Sequence, residues 1–448
     1  MSRKTKINNE KPKVMMQYLH ETDLNQLLNY GMLHQQKGEL KQAKLQYQKI
    51  LARKPSHFEA TYLLGLVFAQ SGELNSAVDF LENALSFKPD FVDAIYNLGV
   101  IYLDLELLDN AINKFEKVIS IKHDYPMVFN NLGLAKLRQD KVEESLQYFT
   151  NEILNFPTCW EAYNNRANVY KQLQRQESAL LDYDAAIKLN PGSAQALCNR
   201  GIMLKELHRN DEALLSLNEA IQADPMYVEA YLCCGNLQYE LNFYNSALES
   251  FNKVIEINPN IAEAYCNRGL VLRELSRYKE ALDSYQKAIS IKPDYADAYS
   301  NRGVVLCDLN RYIESAESYH TAIELKSDFS GAYLNKGNLL RKINKFNEAL
   351  ISYEKAIEID CNNYDAYVCK AVVLEELNRF EEALSDYDKA ILLNPVLGEA
   401  YANKSLTLLK LNHYDLLDDG RDFIKQIENE ISSWETTRFI LGPHWELN

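Results

Sequence analysis

The stretch "YCNRG" at Tyr265–Gly269 returns as "YSNRG" at Tyr299–Gly303 and as "YLNKG" at Tyr333–Gly337, each copy 34 residues after the last. Self-similarity at a fixed period takes precedence over any local reading, because it means one structural unit copied along the chain. Stepping by 34 from Gly269 meets Gly303, Gly337 and Ala371 forward, and Gly235, Gly201, Ala167, Gly133, Gly99, Gly65 and Gly31 backward. The register holds over 24–397 with no insertion or deletion: eleven repeats of 34, then a degenerate twelfth at 398–431. Other columns agree. Twelve residues after each anchor stands Ala or Ser, and four further on a large side chain such as Tyr47, Phe115, Tyr285 or Tyr387.

Each repeat reads as two helices. "AEAYCNRGLVLREL" and "YKEALDSYQKAISI" both carry apolar residues at helical spacing. The "SR" between them is a short polar turn, and a proline such as Pro259 or Pro293 stops the second helix. The glycine/alanine column lets the two helices approach, and the large residue fills the space beside it. One pair cannot bury its apolar faces alone, but stacked pairs can. Around the array, residues 1–13 are basic and polar and read as a disordered tail, 14–23 as a capping helix, and 432–448, with Trp434 and Trp445, as a C-terminal cap or tail.

Composition narrows the function. Formal net charge is −15, which leaves no electrostatic footprint for nucleic acid. No apolar run is long enough to span a membrane, and the N-terminus lacks the apolar region of a signal peptide, so the expected compartment is the cytoplasm. The eight cysteines form no zinc-type pair; they read as small packing residues in a reducing environment, with neither a disulfide framework nor a metal site. No phosphate loop, metalloprotease motif or nucleophile elbow is present, and no insertion offers a catalytic lid, so neither enzyme activity nor a cofactor is expected.

These columns resemble the tetratricopeptide repeat, over residues 24 to about 431. The resemblance implies an all-α, right-handed superhelical solenoid of about twelve helix-turn-helix repeats whose first helices line a concave wall. With each repeat numbered 1 to 34 from residue 24, positions 2, 6, 9 and 13 share that wall on a helical wheel. Position 6 is Asn in nine of twelve repeats: Asn29, Asn97, Asn131, Asn165, Asn199, Asn267, Asn301, Asn335 and Asn403. Helix propensity disfavours that choice. Asn offers both a donor and an acceptor, and can engage the backbone of an extended peptide whatever its side chains. The column is similar to the asparagine ladder in the repeat region of O-linked N-acetylglucosamine transferases; the competing reading is bonding only to neighbouring helices or water. At position 13, Glu206, Glu240, Glu274 and Asp308 lie in consecutive repeats, where no helix N-terminus accounts for an acid, so a negative stretch favouring a basic peptide is expected there. Acids at position 2, such as Glu59 and Asp93, fit the helix dipole instead.

Position 7 changes along the chain. It is Tyr30, Leu64, Leu98 and Leu132 in repeats 1–4, then Arg166, Arg200, Cys234, Arg268, Arg302, Lys336, Lys370 and Lys404. The wheel sets it on the flank of the buried face, so these bases are expected to tie helices together, with Asp182, Asp184, Asp386 and Asp388 as candidate partners. The family's carboxylate clamp requires a lysine at position 5, and no repeat has one. The expected function is therefore a non-enzymatic scaffold for an extended protein or peptide segment. A substrate-recognition adaptor for a separate glycosyltransferase and a self-associating assembly protein are the alternatives.

Overall fold

The structure is a computed structural model and describes residues 10–411. Among the described residues there are 23 helices and no strand. Almost every first helix occupies positions 1–13, as in Phe58–Gln70 and Ala262–Glu274, and every second helix positions 17–30, as in Leu74–Phe87 and Tyr278–Ile291. The exceptions are at repeat 4, whose first helix is Val128–Arg138, and at the start, where one helix runs from Glu10 to Gln36. The expected capping helix at 14–23 is thus continuous with repeat 1. No glycine or proline interrupts 14–30, and Pro12 falls in the first turn, where a missing N–H costs nothing. Residues 1–9 of the expected tail, the rest of the expected twelfth repeat after residue 411 and the expected cap at 432–448 lie outside the described residues.

The turn between paired helices is more specific than a polar linker. Position 15 has positive φ in all eleven complete repeats: Gly38 and Gly72 at 75° and 77°, then non-glycine residues from Glu106 to Asn378 at 58–62°. The backbone bonds show why. Arg277 N–H donates to the Leu272 carbonyl at 2.8 Å and Ser276 N–H to that of Arg273 at 2.8 Å. This pair of bonds closes a helix with its next residue left-handed, and it satisfies carbonyls the helix leaves open. Asn242, Asn310, Asn344 and Asn378 hold the position because Asn tolerates that conformation better than most side chains.

Second helices end at position 30 with or without the proline two residues later. Lys88, before Pro89, is extended at φ −136°, and Lys122, Lys326 and Asp360, which precede His123, Ser327 and Cys361, stand at −144°, −140° and −133°. Packing in the array imposes the stop that proline only reinforces. The anchor column also behaves as expected: a Cβ on Gly269 would meet Tyr285 Cε1 at 2.6 Å.

The chain divides into two compact blocks, Met1–Tyr227 and Val228–Asn448. In the first, one continuous cluster of buried side chains runs from Leu24 to Ala135 and includes Leu64, Leu98 and Leu132; a separate one gathers round Tyr183. In the second, clusters gather around Phe251, around Tyr285 and around Tyr353 with Tyr387, and Leu248 packs against the first two. None of the eight cysteines takes part in a disulfide. No described helix is long and apolar enough to cross a membrane.

Candidate functional site

Helical phase puts positions 5, 6, 12 and 13 of the first helix along one stripe, since seven residues make two turns. Within each block, neighbouring first helices meet along that stripe by one rule: a residue faces the residue 35 further on. Position 5 of one repeat therefore meets position 6 of the next. The Nδ2 amide of Asn97 donates to the Tyr62 hydroxyl at 3.0 Å, and that of Asn131 to Tyr96 at 2.9 Å. Asn165 donates to Asn130 Oδ1 at 2.9 Å and Asn199 to Asn164 Oδ1 at 3.0 Å. In the C-terminal block Asn301 donates to Cys266 Sγ at 3.7 Å and Asn335 to Ser300 Oγ at 3.4 Å. Asn267 departs from the rule and donates to Asn236 Oδ1 at 2.9 Å. Asn403 is half-buried at the matching place on Gly398–Lys410.

The asparagine column thus has two halves. The amide nitrogens tie each first helix to the one before. The carbonyl oxygens of Asn97, Asn165, Asn199, Asn267, Asn301 and Asn335 accept from no described group, and none is sealed from solvent. Asn131 differs: it is buried, and its carbonyl accepts from Asn130 Nδ2 at 3.4 Å. The acceptors of the tie are neutral. Burial pushes the Tyr96 phenol up to about 12, so it does not ionise near neutrality.

Two turns further along, the same 35-residue rule pairs position 12 with position 13. Gln35 Nε2 donates to Gln70 Oε1 at 3.0 Å, Lys171 meets Glu206 at 2.8 Å and Arg273 meets Asp308 at 3.1 Å. The signs are reversed at Glu375 and Lys410, 2.5 Å apart. Glu274 is also held by Arg273, at 3.3 Å, and Glu240 is engaged as well. Glu206, Glu274 and Asp308 are therefore charge-balanced locally, with their carboxylates still exposed or nearly so. At position 2, Lys88 reaches Glu59 at 3.3 Å, and Asp93 accepts from the Tyr125 hydroxyl at 2.9 Å.

The bases at position 7 tie first to second helices. Arg166 grips Asp182 with two bonds of 2.7 and 2.8 Å and also donates to Thr150. Arg200 meets Asp184 at 3.2 Å, Lys370 meets Asp386 at 3.0 Å and Lys404 meets Asp388 at 2.9 Å. Arg268 and Arg302 make the same reach with neutral partners, Ser284 with Asn252 and Ser318 with Gln286. Burial lowers the Arg268 guanidinium, as befits a cation with no carboxylate against it. Partners sit at position 23 of the same repeat and position 25 of the one before. The serines at position 23 escape a search for opposite charge. The signal for them is that columns 7 and 23 change together: Gln46, Phe80, Lys114 and Tyr148 in repeats 1–4, and only Asp or Ser from repeat 5 to repeat 11. The two inter-repeat ladders carry a comparable signal, because polar residues recur at positions 5 and 12 one repeat before their partners.

No group of three or more His, Cys, Asp or Glu among the described residues is arranged to hold a metal ion. Family profiles described as TPR repeat match residues 65–106, 203–242, 235–275 and 269–306. Others described as tetratricopeptide repeat match 27–57, 92–125, 160–193, 330–363 and 352–385. No curated protein matches the chain. Among solved structures it is similar to yeast Tom70, with 16% identity over 91% of this chain and 99% of that one at a TM-score of 0.45. It is similar to the APC/C hetero-tetramer Cut9-Hcn1 at 12% identity, covering 88% and 98%, TM-score 0.48. MamA is 28% identical over 36% of this chain and 94% of its own, TM-score 0.33.

Proposed function

The chain belongs to the tetratricopeptide repeat family, whose members serve as protein-interaction scaffolds, and we propose that it is a non-enzymatic scaffold that binds an extended peptide segment along its asparagine column. The supporting observation is the division of labour within each asparagine. An amide nitrogen fixed to the preceding helix holds the side chain in one rotamer. The carbonyl oxygen is left pointing at no protein donor, in successive repeats of one block: Asn267, Asn301 and Asn335. An acceptor held in place in advance costs little ordering on binding. Packed helices are spaced by about 10 Å, and an extended strand advances about 3.3 Å per residue, so about every third peptide N–H meets an asparagine. The partly acidic stripe of Glu240, Glu274 and Asp308 adds a bias toward basic side chains.

The test is a peptide array probed with the full chain and with Asn267, Asn301 and Asn335 all changed to Ala, repeated with backbone N-methylated copies of the peptides that bind. The triple variant should lose at least tenfold in affinity for the peptides bound by the unaltered chain, and N-methylation at every third residue should do the same. Equal binding by the triple variant rules the reading out.

A further inference from the structure

Both ladders pass through one cleft of the C-terminal block, and there one of them is broken. The cleft encloses about 670 Å³, with Val304, Leu339 and Val372 among its apolar walls and Asn338, Arg341 and Glu376 among its polar ones. Arg341 stands at position 12 of repeat 10 and Glu376 at position 13 of repeat 11, residues of opposite charge 35 apart. The rule that joins Arg273 to Asp308 and Glu375 to Lys410 pairs these two as well. They do not pair. Among the described residues no carboxylate lies within ion-pair reach of Arg341, and no base within reach of Glu376.

The neighbours of Arg341 are arranged for an anion. Asn338, Arg341 and Lys342 are spaced i, i+3 and i+4, which sets them on one face of the helix. The Asn338 carbonyl accepts from the Tyr353 hydroxyl at 2.8 Å, which leaves its amide N–H groups as the free end. Lys342 donates to the Cys307 carbonyl at 3.0 Å, fixing its ammonium at the rim. Arg341 is half-buried, so part of its desolvation is already incurred before any ligand arrives. Asn335, which holds one of the open carbonyls of the asparagine column, lines the same cleft.

We infer that this open rung reads the charge of the bound segment: an acidic side chain enters against Arg341 and Asn338, and a basic side chain two residues away meets Glu376. The inference rests on the peptide-binding reading. Two residues is the period that returns side chains to one face of an extended strand, about 6.6 Å on, a span that fits two charged groups lining one cleft. The carboxylate belongs to a side chain rather than a chain terminus, because a strand following the asparagine column runs on past the cleft. A segment that carries both charges completes the missing rung, whereas one that carries either alone leaves an unpaired charge against it.

The experiment displays random twelve-residue peptides to the full-length chain and sequences those retained. Expected are enrichment of Asp or Glu two residues from Lys or Arg in one order, its loss in Arg341→Gln, and reversal of that order in the double variant Arg341→Glu, Glu376→Arg. A single peptide with the enriched pair should bind Arg341→Gln about tenfold more weakly, and its copy with Gln for the acid should bind both proteins alike. Circular dichroism of each variant checks that the fold is kept. Retained peptides without the paired charges, or an unchanged order in the double variant, overturn the open-rung inference and leave the asparagine reading standing. Retention of no peptide at all overturns both. An enriched C-terminal acid, with no internal one, overturns the assignment to a side chain.

Discussion

Repeats 2–4 and repeats 8–9 share a backbone frame and fill the same position differently. Leu64, Leu98 and Leu132 at position 7 are 1, 0 and 0% exposed and belong to a core that is continuous from Leu24 to Ala135. Arg268 and Arg302 at the same position are half-buried and reach serine, asparagine and glutamine across to the second helices. The apolar cluster around these two bases is smaller, reaching from Tyr265 to Val305. Burying leucine contributes stability directly, whereas a buried polar tie contributes little net and is costly chiefly when half of it is lost. The fold therefore depends on the frame of helix lengths and turns, and position 7 sets how firmly and how specifically each helix pair is joined.

The largest effect should come from exchanging the two solutions. Leu64→Arg places a guanidinium against Phe80, at position 23 of that repeat, and Gln48, at position 25 of the one before, with no carboxylate or serine at either place to receive it. It should destabilise the chain by about 4 kcal/mol or more, as an unpaired buried charge does. Arg302→Leu, in contrast, removes bonds to Ser318 and Gln286 that water can replace, and should cost about 1 kcal/mol or less. Urea unfolding followed by circular dichroism measures both. Equal losses would mean that position 7 is not where the two regions differ in cohesion.

Next comes the tie between Arg166 and Asp182, side chains only 16% and 9% exposed. Asp182→Ala leaves the guanidinium buried with Thr150 as its remaining partner, at a cost of about 3 kcal/mol. Arg166→Met combined with Asp182→Leu, the leucine-like filling of the earlier repeats, should recover most of that loss. A double-mutant cycle that found the two changes additive would show that the pair is not coupled.

How far the sequence carries such an argument is clear from these residues. The period of 34 gives both helices of every repeat, because apolar spacing and the Gly–Tyr contact are local matters of size and phase. Asp182, Asp184, Asp386 and Asp388 are legible as partners through their charge. Ser284 and Ser318 are not, since serine is a common surface residue and only the joint change of columns 7 and 23 marks them. The 35-residue stagger is legible neither from composition nor from the wheel, as it depends on how far one helix pair is displaced along the next. Without it, Asn267 reads as one undivided group, when its nitrogen and its oxygen have different tasks. The acids at position 13 read as a free negative stripe for the same reason, because Lys171 and Arg273 lie one repeat away from the acids they pair with.

Acid should separate the two blocks by sign. Glu152, 1% exposed, accepts the backbone N–H groups of Met127, Phe129 and Asn130 at 2.7–3.2 Å and caps the displaced first helix of repeat 4. Burial outweighs those bonds and raises its carboxyl above the ordinary 4.5. Its contribution is thus complete below that value and declines as pH rises through the higher folded value. For Glu375, burial also pushes upward, but bonds from Lys410, Tyr387 and Thr407 together outweigh it and hold the carboxyl below 4.5. Its contribution is present above 4.5 and is lost as pH falls through the lower folded value. On acidification through the carboxylate range, amide-exchange protection, corrected for intrinsic rate, should hold or rise over Val128–Arg138 and fall over Gly398–Lys410. Glu152→Gln and Glu375→Gln should each abolish their own trend. A parallel fall at both helices would show that neither carboxyl is shifted as described.

The smallest effect concerns one hydroxyl. The tyrosine against the anchor glycine finds an acceptor in most places: Tyr183 donates to Asn168 at 2.6 Å, Tyr353 to Asn338 at 2.8 Å and Tyr47 to Gln35 at 3.0 Å. In repeat 8 the residue matching Asn168 is Leu270, and the Tyr285 hydroxyl is buried with no partner. An unmade bond costs more than a made one contributes, so Tyr285→Phe should leave stability unchanged or raise it by up to about 1 kcal/mol, whereas Tyr183→Phe should lower it by about 1 kcal/mol and leave Asn168 short of a donor. Leu270→Asn restores the pairing found in repeats 5 and 10. It should therefore be better tolerated with Tyr285 in place than in the Tyr285→Phe background, and the difference in a thermal-melt cycle isolates the new bond from the lost packing of Leu270. If Leu270→Asn costs the same in both backgrounds, position 9 is not what satisfies the tyrosine, and the bonds of repeats 5 and 10 are incidental to the stability of their helix pairs.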